Sequence, residues 1–72
     1  MKIFSINKLN GIKVYIEILH EDDDGFDVNL ISVKGNFIQE FPERIPRYLL
    51  EDSIRTGSVT ETSTPYSLLS DK

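Results

Sequence analysis

The chain has no cysteine, no tryptophan and no alanine among its 72 residues. Without cysteine it forms no disulfide, holds no zinc on sulfur and offers no thiol nucleophile. Histidine occurs once, as His20. A catalytic relay would have to be built around that one residue, in a charged stretch with no nucleophile fixed beside it. Glycine is scarce and isolated, at positions 11, 25, 35 and 57, so there is no glycine-rich phosphate loop. No segment approaches the ~20 consecutive apolar residues of a membrane span. Residues 1–9 lack the apolar run of a signal peptide. The chain reads as a cytoplasmic protein without membrane contact.

Length narrows the reading further. A chain this short is one domain at most. Domains of this size bury only about 60% of their unfolded surface. With no disulfide to help, the fold must rest on its apolar core, with self-association as a natural supplement. That apolar set is nine Ile, seven Leu, four Val, four Phe and three Tyr. Branched and aromatic residues suit a pleated, half-buried surface, so composition leans to β-structure.

Charge is unevenly placed around a net of −4. Residues 1–13 carry three lysines and no acid. Residues 14–33 carry six acids and no Lys or Arg. An acidic chain is not the usual footprint of a nucleic-acid binder.

Period-two alternation defines the strands. Phe4 and Ile6 share one face of a strand over 2–8, and Ile12, Val14, Ile16 and Ile18 share one face of a second over 12–19. Asn10-Gly11 between them is a hairpin signal. A two-residue turn would set Asn7 against Val14 and Ser5 against Ile16. A three-residue loop, Leu9-Asn10-Gly11, instead pairs Lys8 with Ile12, Ile6 with Val14 and Phe4 with Ile16. A slip of one residue flips a whole face, so the apolar pattern selects the longer loop, with Gly11 left-handed. A third strand spans 26–33. A Gly35-Asn36 turn then pairs Lys34 with Phe37, Ser32 with Gln39 and Leu30 with Phe41 in a fourth strand over 37–41. Pro42 is expected to end that strand. Pro46 suits the first position of a helix over 46–56, with Leu49, Leu50 and Ile54 as its apolar stripe. Gly57 is its stop.

The fold class is therefore α+β: a four-stranded antiparallel meander followed by one helix, in a domain over 1–57. Residues 58–72 form a Ser/Thr-rich tail, with room for a short fifth strand at 58–62. A small SH3-like barrel is the alternative. The expected core face is Phe4, Ile6, Ile12, Val14, Ile16, Ile18, Phe26, Val28, Leu30, Phe37 and Phe41, too wide for one short helix. The second face carries Ile3, Tyr15, Leu19, Ile31, Val33 and Ile38 among polar residues. Either Tyr66, Leu68 and Leu69 of the tail fold back over it, or the sheet curls, or the face meets another chain.

The functional reading is a small non-catalytic interaction or regulatory module. It self-associates as a homodimer through Tyr15, Leu19, Ile31 and Val33, and offers Asp22, Asp23 and Asp24 to a basic partner. The stretch His20–Gly25 fails the calcium-loop template, because counting from Asp22 the sixth and twelfth positions are Asp27 and Val33. No catalytic residue, cofactor or metal ligand is assigned. The alternative is a nucleic-acid-binding module using Arg44, Arg47, Tyr48 and Arg55, where arginines beside an aromatic could hold phosphates or stack on bases. The competing account is ordinary helix-surface pairing of Arg47, Glu51 and Arg55 at four-residue spacing.

Overall fold

Turn chemistry sets the registers. A computed structural model describes residues 2–6 and 11–62. Strand β1 (Ile3–Ile6) runs antiparallel to β2 (Lys13–Glu21), with Phe4 opposite Ile16 and Ile6 opposite Val14. That is the register the apolar pattern selects. Gly11 has φ of 70°, a conformation that costs a side-chain-bearing residue roughly 1–2 kcal/mol. The expected Lys8–Ile12 pair, the strand over 7–8 and the tail over 63–72 lie outside the described residues. Strand β3 (Gly25–Lys34) pairs β2 on its other side and turns at residues 35–36 into β4 (Phe37–Pro46). Lys34 faces Phe37, Ser32 faces Gln39 and Leu30 faces Phe41, as expected. Helix α1 (Arg47–Thr56) follows, and Gly57 stops it in the left-handed region. Strand β5 (Val59–Thr62) then pairs β1.

The five strands form one open antiparallel sheet in the order β4-β3-β2-β1-β5. It is α+β, an extended meander with its helix inserted before the last strand, rather than the barrel alternative.

Two expectations about the strands need correction. Strand β4 does not end at Pro42 but continues to Pro46, with Pro42 opposite Asn29. An outer strand pairs on one side only, so a proline whose missing N–H would face away from β3 removes no ladder bond. Pro46 accordingly closes β4 and precedes the helix, rather than occupying its first turn. The second correction is in β2. Ile18 pairs with Val28 and His20 with Asp27, leaving Leu19 as a bulged extra residue. Beyond a bulge the facing of the strand inverts. Glu21 therefore arrives opposite Phe26 on the core side, and His20 opposite Asp27 on the other.

The core lies between the helix and one end of the sheet. Phe4, Ile16, Phe26, Val28, Leu50 and Val59 are buried together, with Ile6, Ile18, Leu30 and Ile45 half-buried against them. Of the expected stripe only Leu50 is buried; Leu49 and Ile54 are exposed. Phe37 and Phe41, expected in the core, are 62% and 46% exposed. The path of the helix explains this. It leaves β4 beside Gly25 and rejoins the sheet at Val59, opposite Ile6. It thus crosses the sheet diagonally and leaves the β3–β4 hairpin end bare.

Adjacent leucines give a direct check. Leu50→Ala should cost about 2–5 kcal/mol, the range for truncating a buried leucine. Leu49→Ala should stay within about 1 kcal/mol, as for a surface change. Urea unfolding of both variants measures this, and equal losses would contradict the diagonal docking.

Candidate functional site

The densest chemistry of the molecule is where the β2–β3 loop meets the start of α1. Asp22 builds the loop. Its N–H donates to the Gly25 carbonyl at 2.9 Å. Its Oδ1 accepts from the N–H of Asp24 at 2.9 Å and of Gly25 at 3.0 Å. This is the side-chain-to-backbone turn for which aspartate is suited. The same Oδ1 accepts from Arg44 Nη2 at 2.7 Å. Arg44 and then the Asp24 N–H are the main reasons the Asp22 carboxyl lies well below the usual carboxylate range.

Arg44 and Arg47 grip the loop from opposite sides of the sheet. Arg44 stands opposite Asp27 in the β3–β4 ladder, on the face away from the helix, and its Nη1 donates to Asp27 Oδ1 at 3.0 Å. His20, brought to that face by the bulge, places Nδ1 3.7 Å from Asp27 Oδ2. On the other face Arg47 stacks its guanidinium over the Phe26 ring, 4.9 Å from the centroid. From there its Nη2 donates to Glu21 Oε2 at 2.7 Å and to the Asp22 carbonyl at 2.5 Å. Its Nε donates to the Asp23 carbonyl at 3.3 Å, and Nη1 to Glu51 Oε2 at 3.2 Å. These acceptors raise the proton affinity of both guanidiniums, Asp22 first for Arg44 and Glu21 first for Arg47. One planar group thereby satisfies two loop carbonyls and two carboxylates, a task its fixed fork can perform and a lysine ammonium cannot.

The loop also caps the helix. α1 has no side-chain cap and no acid in its first turn, and it opens on a basic residue. Each feature runs against helix preference, since the amino end of a helix favours negative charge. The Asp24 carbonyl instead accepts the Arg47 N–H at 3.0 Å, and the loop's carboxylates supply the missing charge from outside the helix. Gly25 permits the approach: a Cβ there would lie 2.4 Å from the Ile45 carbonyl oxygen.

Both candidate sites from the sequence thus meet, and partly consume one another. Arg44 and Arg47 are bound to the acidic stretch. Arg55 pairs with Asp52. Tyr48 is exposed on the outward side of α1, where it lines a shallow groove with Glu51, Asp52 and Arg55. Arg44 lies on the opposite side of the sheet, so the four proposed nucleic-acid contacts do not share one surface. Of the acidic residues, Asp22 is engaged by Arg44, whereas the carboxylates of Asp23 and Asp24 have no ion pair among the described residues. Of the four apolar candidates on the second face, Leu19 is exposed in the bulge, Tyr15 and Val33 are half-buried, and Ile31 has no accessible surface. No group of three or more His, Asp or Glu among the described residues is arranged to hold a metal. No helix among them is long and apolar enough to cross a membrane. Glu21 was the residue sequence reasoning missed, because alternation through Ile18 gives no sign of the bulge that turns it toward Arg47.

Comparison with protein-family models, with curated proteins and with solved structures finds no match.

Two measurements test the clamp. Because folding lowers the pKa of Asp22, its charged form stabilises the fold. That contribution is complete above the ordinary aspartate value of about 3.9. It is lost as pH falls below that value toward the lower native one. The urea midpoint should therefore drop between about pH 5 and pH 2, and Asp22→Asn should begin lower at neutral pH and lose less on acidification. Separately, Arg47→Lys should lower the urea midpoint well beyond Arg55→Lys, though both keep their charge. Equal effects would reduce the Arg47 contacts to ordinary surface pairing.

Proposed function

We propose that the protein is a small non-catalytic interaction module that self-associates, with the bare end of its helix-bearing sheet face as the contact. The observation that carries this reading is the exposure of Phe37, Phe41 and Leu49, at 62%, 46% and 48%. Phe41 continues the row Phe4, Ile16, Leu30, whose first two members are buried under the helix. On α1, Leu49 lies about 160° around the axis from Arg47, at about 100° per residue. Since Arg47 faces the β2–β3 loop, Leu49 flanks the uncovered half. Together these side chains leave roughly 300 Å² of apolar surface in water, taking aromatic side chains as about 200 Å² each. Patches of that size on a small domain are commonly functional.

This moves the contact from the second face, where Ile31 is already buried, to the first. Edge-to-edge pairing of β4 is the weaker route, because Pro42 interrupts the outer row of donors at mid-strand. Charge keeps a smaller part in the reading. Asp23 and Asp24 project at the loop tip, where they would speed encounter with a basic partner at low salt.

Sedimentation over a concentration series tests the reading. The wild-type chain should form dimers at roughly micromolar to hundred-micromolar concentration, the range of modest interfaces. Phe37→Ser combined with Phe41→Ser should abolish them while the urea midpoint changes little. A wild-type chain that stays monomeric throughout would defeat the proposal.

A further inference from the structure

The bare end of the helix-bearing face is a corner rather than a flat patch. Its floor is formed by Leu30, Ser32 and Lys34 of β3, paired with Phe41, Gln39 and Phe37 of β4. Its wall is the flank of α1 that carries Leu49. Aromatic and polar side chains alternate along the floor, and Lys34 is exposed beside Phe37. Lys34 has no ion pair among the described residues. The outer side of α1 is complementary in kind. Leu50 is buried against the sheet, and at about 100° per residue Tyr48, Asp52 and Arg55 lie about 140–160° around the axis from it. Tyr48 is 74% exposed, more than any other large apolar or aromatic residue among those described. With Glu51, Asp52 and Arg55 it lines the shallow groove on that side.

We propose that the self-associated form is cross-seated. The outer side of α1 from each copy rests on the bare floor of the other, so that two sheets enclose a middle layer of two helices. This inference rests on the self-association reading and adds Tyr48 of the second copy as the anchor. Three observations choose this surface of the second copy. The first is size. The ten residues of α1 make a rod about 15 Å long, and Phe37 to Phe41 spans about 14 Å at about 3.4 Å per residue. The second is chemistry. The ring of Tyr48 suits Phe37 and Phe41, and Arg55 suits a ring face as Arg47 suits Phe26. Glu51 and Asp52 bring negative charge to Lys34, while Ser32 and Gln39 can bond the tyrosine hydroxyl. The third is area. Packing floor on floor buries roughly 300 Å² of apolar surface per copy, well short of the about 800 Å² per partner of a stable complex. Cross-seating buries the outer side of α1 as well, which roughly doubles the surface each copy contributes. It also places Tyr48, otherwise a large aromatic ring left in water, at the centre of the contact.

Sedimentation and nuclear magnetic resonance on the full chain test this together. Tyr48→Ser removes an exposed side chain, so the urea midpoint should hardly move, while the dimer dissociation constant should rise about tenfold or more, as for an aromatic anchor. In dimers mixed from labelled and unlabelled copies, nuclear Overhauser contacts between the Tyr48 ring and the rings of Phe37 and Phe41 should appear only between copies. Lys34→Glu should weaken the dimer severalfold at low salt. A dimer indifferent to Tyr48→Ser, or one whose intermolecular contacts join Phe37 and Phe41 to each other and not to Tyr48, would overturn cross-seating and leave self-association standing. A wild-type chain that stays monomeric would overturn both.

Discussion

Arg47 is the residue through which the parts of this small domain are joined. Its backbone N–H is the first donor of the helix, its guanidinium holds the β2–β3 loop by two carbonyls and Glu21, and its flat face covers Phe26. The helix makes only one fully buried contact of its own, at Leu50. Ten residues with one buried leucine would be marginal in isolation. A loop that caps the amino end and neutralises a basic first position supplies orientation that the apolar contact does not. Arg44 secures the same loop from the far side through Asp22 and Asp27. The acidic run is thus first a structural element and only at its tip, Asp23 and Asp24, a free surface.

The second constraint is one of area. Five strands offer two faces, and one ten-residue helix covers part of one. A chain without alanine places large side chains on both. The two faces differ in what they show of the remainder. On the helix side the surplus is visible as exposed Phe37, Phe41 and Leu49. On the other side it is hidden, as the sealed Ile31. The proposed self-association rests on the first of these.

Much of the fold was legible because its signals are local. The pairing of Phe4 with Ile16 and of Leu30 with Phe41 followed from alternation and from glycine-bearing turns, each read within a few residues. The site was less legible. Asp22, Arg44 and Arg47 were each conspicuous as charged residues, but as two rival surfaces rather than one internal clamp. Residues 22 and 44 are separated by most of a hairpin, and only the ladder that sets Asp27 opposite Arg44 brings them together.

By itself, then, the sequence determined the α+β class, four of the five strands, the helix and two of the registers, because period-two patterning and glycine conformation act over short range. Tertiary structure alone decided the bulge at Leu19, the passage of β4 through Pro42, the choice of Leu50 over Leu49, and the burial of Ile31. A single inserted residue leaves no trace in an alternating pattern, and a proline is tolerated only because the strand proves to be outermost. Which leucine is buried depends on the diagonal a helix must take between Pro46 and Val59, a distance set by the whole width of the sheet.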